Sequence, residues 1–146
     1  FHSPDNPAAQ KSLLLARDAA RRLKIELVER PVKSVEELRS ALHALRPGDA
    51  DAFCYTADAM VNSQADMIVD VATGKKLPTM FQARESVLKG ALASYGVSYY
   101  DFGRLAARHV QRILLGADPG TLPVEQLERF RFVISLKTAR SLGLIR

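Results

Sequence analysis

Segments with helical spacing alternate with short apolar segments along almost all of this 146-residue chain. Hydrophobic residues three and four positions apart predict helices, whereas short runs of β-branched and long apolar residues predict buried strands. Helices are predicted at residues 7–23, 34–45, 63–73 and 99–115, and a short last helix carries Ala139 and Leu142. Strands are predicted at residues 25–32, 52–56, 77–82, 91–95 and 130–134. This alternation predicts an α/β fold in which a parallel sheet is flanked by helices on both faces.

Local signals indicate where several of these helices begin. Asn6 can accept hydrogen bonds as an N-cap, and Pro7 suits the first helical position. Ser34 and Glu37 form a capping box ahead of the second helix. The helix at residues 99–115 has the clearest apolar stripe, which consists of Phe102, Leu105, Ala106, Val110 and Ile113.

Composition limits the class of protein. Hydrophobic residues make up 47% and charged residues 25% of the chain, which is typical of a soluble globular domain and excludes a disordered or collagen-like chain. No apolar run reaches the roughly 20 residues that a membrane-spanning helix needs. Cys54 is the single cysteine, so no internal disulfide can form, and its apolar neighbours predict a small buried side chain. The chain opens without an initiator methionine or a signal-peptide pattern, which indicates part of a longer protein.

The sequence contains no catalytic or metal-binding pattern. His2, His43 and His109 lie far apart in the sequence, and no Cys/His spacing resembles a zinc site. There is no Walker A loop and no dinucleotide-binding fingerprint. We therefore predict no enzyme activity, no catalytic residue, no metal and no cofactor.

The excess of positive charge does not predict a nucleic-acid partner. The formal net charge is +5, but the basic residues are scattered along the chain. Arg104, Arg108 and Arg112 recur every four residues on one helix face, which is typical of a solvated face or of one that a partner covers. No interleaved aromatic residues or recognition helix accompany them, so we expect no nucleic-acid binding.

The loop after the strand at residues 52–56 carries polar residues suited to a zwitterion. Ligands of parallel sheets bind at the carboxyl ends of the strands, where this loop lies. Asp58 can accept hydrogen bonds from an ammonium group, and Asn62 and Ser63 accompany the free N–H groups of a helix start, which favour a carboxylate. The alternative is that Asn62 or Ser63 only caps the helix and that Asp58 is solvated.

Aromatic residues gather at the ends of two further strands. Phe81 ends one strand, and Tyr95 and Gly96 end another, shortly before Tyr99 and Tyr100. Aromatic rings beside polar groups can form the floor of a site for a small organic ligand. Ordinary core packing of these rings is the alternative.

Several motifs in order resemble one protein family. They are Gly90-Ala-Leu-Ala-Ser-Tyr-Gly96, Gly103-Arg-Leu-Ala-Ala107, Arg112-Ile-Leu-Leu-Gly116, Leu122-Pro-Val-Glu125 and Val133-Ile-Ser-Leu-Lys-Thr-Ala139. Together they resemble the C-terminal half of bacterial ABC-transporter substrate-binding proteins of the type I periplasmic-binding fold, in the branch that includes tryptophan and tyrosine binders. Such proteins have two α/β lobes joined by three crossovers, and the lobes close on the ligand like a hinge.

The resemblance implies a division of the chain between two lobes. Residues 1–83 and 124–146 would belong to the second, C-terminal α/β lobe. Residues 84–123 would cross back and contribute a strand and a helix to the first lobe. Without that lobe, the helix is expected to repack, to exchange between protomers in a domain-swapped homo-oligomer, or to expose a patch.

The resemblance also implies a pocket and a function. Asp58, Asn62 and Ser63 would make polar contacts, Phe81 and Tyr95 would line the apolar part, and Gly96 would let backbone approach the ligand. We predict the solute-binding component of an ABC importer, which captures a small organic solute such as an amino acid or related carboxylate and docks on an ABC permease in the membrane. The predicted location is the periplasm or another extracytoplasmic site, with or without a membrane anchor. The alternative is an extracytoplasmic ligand-sensing domain of a signalling protein.

Overall fold

The computed structural model describes all of residues 1–146 and contains seven α-helices and four strands. The helices are α1 (Pro7–Leu23), α2 (Val35–Ala44), α3 (Ala59–Ser63), α4 (Ala65–Gly74), α5 (Arg84–Leu88), α6 (Tyr99–Leu114) and α7 (Leu136–Ser141). The strands are β1 (Phe53–Cys54), β2 (Thr79–Phe81), β3 (Ala93–Val97) and β4 (Phe130–Ile134). A single 3₁₀ turn, Pro119–Thr121, lies between α6 and β4. None of the helices combines the length and hydropathy that crossing a bilayer requires.

The four strands form one sheet in the order β1-β2-β3-β4. β1, β2 and β3 are parallel, so the α/β prediction is confirmed for this part of the sheet. β4 is antiparallel to β3, which differs from the predicted all-parallel sheet. The reason is that the chain re-enters the sheet beside the end of β3 and not beside its start. Phe130, at the start of β4, pairs with Val97, at the end of β3.

Residues 25–32 do not form the predicted strand. They are irregular except for one parallel bridge between His2 and Pro31. The His2 N–H donates to the Arg30 carbonyl oxygen at 3.2 Å, and the Val32 N–H donates to the His2 carbonyl oxygen at 2.9 Å. An apolar, β-branched segment becomes a strand only where a neighbouring backbone pairs with it, and only His2 does so here.

The predicted helix caps are confirmed. The Asn6 side chain accepts the Ala8 N–H at 3.0 Å, and the Ser34 hydroxyl accepts the Glu37 N–H at 3.1 Å. The Glu37 carboxylate accepts the Lys33 N–H at 2.8 Å. Since these contacts are local in sequence, they follow directly from the residue pattern.

The hydrophobic core lies between one face of the sheet and helices α2, α3 and α4. Its nine buried members are Val32, Leu38, Leu42, Phe53, Val61, Ile68, Val69, Phe81 and Ala91. Leu38 and Leu42 lie one helical turn apart on α2 and are fully buried, as the spacing predicts. Cys54 was predicted to be buried and is exposed instead. Strand side chains alternate between faces, so burial of Phe53 in the core turns Cys54 away from it.

The apolar stripe of α6 has almost no cover within this chain. Leu105 is buried, but Phe102 and Val110 are 58% and 56% exposed. One face of the β3–β4 pair is exposed as well, through Tyr95 and Phe132. The chain has 10297 Å² of accessible surface, against about 7,400 Å² for a compact monomer of this mass. The helix is therefore as predicted, and its exposed stripe matches the alternative in which this helix exposes an apolar patch.

Gly96 allows β3 to pass close to the end of β2. A Cβ atom at residue 96 would clash with the Gln82 carbonyl oxygen and would lie 2.8 Å from Gln82 Cγ. Because the obstacle is backbone, it cannot be relieved by rotating a side chain. Any residue larger than glycine would have to push the two strand ends apart.

We predict that Gly96→Ala destabilises the fold by about 1–3 kcal/mol, since it overpacks a close backbone contact. Gly103→Ala is the matched control, because a Cβ atom at residue 103 of α6 meets nothing within 4 Å. That control should stabilise the chain by up to about 1 kcal/mol through helix propensity. Urea unfolding of the three proteins measures both effects, and equal stability of Gly96→Ala and wild type would contradict the close approach.

Candidate functional site

A cavity of about 270 Å³ lies at the carboxyl ends of β2 and β3. Its walls are formed by the turn after β2, the start of α5, strand β3, the first turn of α6 and strand β4. The close approach at Gly96 brings these walls together, since Gln82 and Gly96 both line the cavity. The carboxyl edge of a parallel sheet is where α/β proteins bind ligands, so this cavity is the candidate site.

The first turn of α6 forms one wall. The Ser98 hydroxyl caps the helix and accepts the Asp101 N–H at 3.2 Å. Tyr99 and Tyr100, which the sequence placed near an aromatic floor, both line the cavity. They are 56% and 74% exposed, so their rings are accessible to a ligand.

Two arginines and one glutamate bring charge to the cavity. Arg131 Nη2 lies 2.9 Å from Asp101 Oδ2, and this ion pair joins β4 to the first turn of α6. Arg84 and Glu85, at the start of α5, line the cavity and form no ion pair within the chain. The cavity therefore presents both an unpaired cation and an unpaired anion.

Asp58 is not part of this cavity. It is fully buried and is the N-cap of α3: one oxygen accepts the Val61 N–H at 3.0 Å. The other oxygen accepts the Ser3 N–H at 2.9 Å and the Asn6 side-chain amide at 3.3 Å. The carboxylate thus ties the N-terminal segment to the loop after β1.

The pKa of Asp58 reflects these hydrogen bonds. Burial acts to raise the pKa of the carboxyl, but the backbone N–H groups of Val61, Ser3 and Met60 and the Asn6 amide outweigh it and hold the pKa below its ordinary value. Asp58 is therefore a buried, ionised structural group.

Asn62 and Ser63 lie on the exposed surface of α3 and do not line the cavity. The Ser63 hydroxyl donates to the Met60 carbonyl oxygen at 2.7 Å. The alternative in which one of these two residues caps the helix and Asp58 is solvated is wrong, since Asp58 itself is the buried cap.

The predicted aromatic contacts lie apart from one another. Phe81 is 2% exposed and belongs to the core, where its ring centroid is 5.5 Å from that of Phe53. Tyr95 stacks on Phe130 at 5.5 Å. Successive strand residues face opposite sides, so Tyr95 points away from the sheet face on which its neighbour Gly96 lines the cavity. Of the six predicted contact residues, Gly96 is the one that the structure places on the cavity wall.

Eight of the eleven cavity residues were not singled out from the sequence, and Ser94, Arg84 and Arg131 are among them. Ser94 was part of a quoted strand end, and strand alternation relative to Gly96 could have placed it on the same face. Arg84 lies three residues after the end of β2, which is a weak signal. Arg131 lies opposite Gly96 only because β4 is antiparallel, and nothing local in the sequence shows that.

An open depression of about 680 Å³ lies under residues 126–129 and shares Arg131 with the cavity. Its walls come mainly from an irregular segment, and it is open to solvent. No cluster of three or more His, Cys, Asp or Glu side chains could hold a metal ion.

The sequence matches the family described as ABC transporter substrate binding protein over residues 1–145. This chain belongs to that family. Over 127 residues it is 28% identical to a protein named tyrosine-binding protein from Clostridioides difficile strain R20291, which corresponds to 87% of this chain and 36% of that protein.

Solved structures show the same fold. A conserved domain protein from Vibrio cholerae has a TM-score of 0.84 and 30% identity, and the match covers 97% of this chain and 48% of that one. An ABC domain in complex with L-Trp from Streptococcus pneumoniae has a TM-score of 0.83 and 23% identity, over 97% of this chain and 49% of that one. The chain thus spans about half the length of these solved relatives, and the α/β fold and the family resemblance are confirmed.

We predict that Asp58→Asn lowers the free energy of unfolding at pH 7 by about 1.5–3 kcal/mol, because the amide cannot accept from every donor that the carboxylate satisfies. With a folded pKa below the ordinary 3.8, ionised Asp58 stabilises the fold fully above pH 4 and loses this contribution as the pH falls through its folded pKa. When chemical unfolding is measured between pH 2 and pH 7, the free energy of unfolding of the variant should fall less steeply toward low pH than that of wild type. Asp70→Asn, at an exposed position on α4, is the control and should behave like wild type. If the free energy of unfolding of Asp58→Asn fell toward low pH as steeply as that of wild type, Asp58 would not be an ionised structural group.

Proposed function

We propose that this chain is the ligand-binding part of a solute-binding protein that delivers an aromatic amino acid to an ABC importer. The observation that carries the proposal is the cavity at the carboxyl ends of β2 and β3, in a chain of the substrate-binding family. The cavity joins aromatic rings, from Tyr99 and Tyr100, to charged groups of both signs. An amino acid with a ring and a zwitterionic backbone matches that combination.

The proposed solute is tyrosine, tryptophan or a close analogue. The related protein from Clostridioides difficile is named for tyrosine, and the fold-level neighbour from Streptococcus pneumoniae contains L-Trp. Of the residues predicted from the sequence, Gly96 contributes to this site directly. Asp58 acts in the proposal as a positioning residue, because its oxygens are occupied by the chain's own donors. Asn62, Ser63, Phe81 and Tyr95 stay predictions.

The proposed protein has two lobes, of which this chain supplies the second. Residues 1–83 and 124–146 form that lobe, and residues 84–123 cross to the first lobe. Two observations support this division: the apolar stripe of α6 is uncovered, and the chain spans about half the length of its solved relatives. Contact with the first lobe would cover α6 and close the ligand cavity, which makes a domain-swapped homo-oligomer unnecessary.

The proposed partner is an ABC permease in the membrane, and the proposed location is extracytoplasmic. Closure of the two lobes on the solute would create the surface that the permease recognises, so that loaded and empty proteins differ in shape. The protein's own contribution is capture and release without chemical change, in keeping with a family of binding proteins.

The experiment is a heteronuclear NMR titration of the ¹⁵N-labelled chain with L-tyrosine, L-tryptophan and L-phenylalanine, and with L-lysine, L-aspartate and glucose as controls. We expect saturable shifts at Gly96, Tyr99 and Tyr100 with the aromatic amino acids only. Half of a two-lobe site should bind in roughly the millimolar range, which corresponds to about −4 kcal/mol.

Gly48, in the turn after α2, serves as an internal reference that should not shift. A folded chain that gives no saturable shift, or that responds equally to all six solutes, would contradict the proposal that this half of the protein recognises an aromatic amino acid.

A further inference from the structure

Ser94 is the most deeply buried polar side chain on the cavity wall. It is 1% exposed, and its hydroxyl forms no hydrogen bond within the chain. Every side-chain oxygen or nitrogen that is fully sealed from solvent has a hydrogen-bond partner. Because the Ser94 hydroxyl has no such partner, its oxygen must be open to the cavity. A buried hydroxyl without a partner is unfavourable unless water or a ligand satisfies it.

The first turn of α6 offers donors to the same cavity. The Ser98 hydroxyl accepts the Asp101 N–H, and the Ser98 carbonyl oxygen accepts the Phe102 N–H at 2.9 Å. The N–H groups of Tyr99 and Tyr100 precede the first intrahelical bond and have no acceptor within the helix. α6 has 16 residues, so its aligned peptide dipoles place a partial positive charge at this end.

The charged side chains near these donors favour an anion. Arg84 lines the cavity without an ion pair, whereas Arg131 is already paired with Asp101. Hydroxyl, free backbone N–H groups and an unpaired guanidinium are the donors that carboxylates accept in proteins. Glu85 is the one unpaired acid on the wall, and it can receive the ammonium group of a zwitterion.

We propose that the carboxylate of the amino-acid ligand binds in this cavity, with the Ser94 hydroxyl and the first-turn N–H groups of α6 as hydrogen-bond donors and Arg84 as the neutralising charge. The proposal rests on the proposed function, and it assigns the orientation of the ligand. The carboxylate points toward β3 and α6, and the ammonium group points toward Glu85.

The test compares L-tryptophan with tryptamine, which lacks the carboxylate, and with L-tryptophanamide, in which the carboxylate is a neutral amide. Binding is measured by NMR titration of the 146-residue chain and of two variants, Ser94→Ala and Arg84→Gln. Ser86→Ala, at a buried serine outside the cavity, and Arg39→Gln, at an exposed arginine of α2, are the matched controls. The amide signals of Tyr99 and Tyr100 are followed directly.

We expect tryptamine and the amide to bind at least about tenfold more weakly than L-tryptophan, because a charge-assisted hydrogen-bond set is lost. Ser94→Ala and Arg84→Gln should each weaken L-tryptophan binding about three- to tenfold and leave tryptamine binding unchanged. The two control variants should bind like wild type. The Tyr99 and Tyr100 amide protons should move downfield with L-tryptophan and not with tryptamine.

Two kinds of failure are distinct in this experiment. If L-tryptophan and tryptamine bind equally well, or if Ser94→Ala and Arg84→Gln bind L-tryptophan like wild type, the carboxylate assignment is overturned while the proposed function stands. If no aromatic amino acid binds to the folded wild-type chain, the proposed function falls and the assignment falls with it.

Discussion

The approach of β3 to the end of β2 is the constraint on which the candidate site depends. At Gly96 the backbones lie so close that a Cβ atom would meet the Gln82 carbonyl oxygen. This contact aligns the strand ends, places the start of α6 beside the turn after β2 and leaves the cavity between them. Ser94 lies two residues earlier on the same face of β3, so the alternation of the strand brings its hydroxyl to the same wall. The close approach at Gly96 thus brings the Ser94 hydroxyl and the first turn of α6 to the same cavity.

Burial is uneven across the chain, and this unevenness agrees with a protein of two lobes. The core lies around β1, β2, α2 and α4, where Leu38 and Ile68 are fully buried. The stripe of α6 and one face of the β3–β4 pair are exposed, and the accessible surface of 10297 Å² exceeds the value of about 7,400 Å² for a compact monomer of this mass. Apolar surface of this extent favours association, and the solved relatives are about twice as long as this chain. In the proposed two-lobe protein, the first lobe would close over the candidate cavity.

Features set by neighbouring residues were predictable from the sequence, and features set by distant contacts were not. The caps at Asn6 and Ser34 and the bounds of β4 follow from local pattern, and the structure confirms them. Residues 25–32 have the composition of a strand, but strand formation needs a partner backbone, and only His2 pairs there. Asp58 was predicted to contact a ligand, but in the structure it caps α3 and accepts hydrogen bonds from Ser3 and Asn6, which lie more than 50 positions away in sequence. The position of Arg131 beside Gly96 likewise depends on the direction of β4, which the pattern of apolar residues does not encode.

In the proposed binding mode, an amino acid binds at the carboxyl ends of β2 and β3 with its carboxylate toward Ser94 and α6. The most direct measurement is a set of intermolecular nuclear Overhauser effects in a sample of the chain saturated with L-tryptophan. We expect cross-peaks from the ligand α-proton to the Ser94 β-protons and from the indole ring to Tyr99 or Tyr100. Cross-peaks confined to Asn62 and Ser63, or to the exposed face at Phe130 and Phe132, would place the ligand elsewhere and contradict this binding mode.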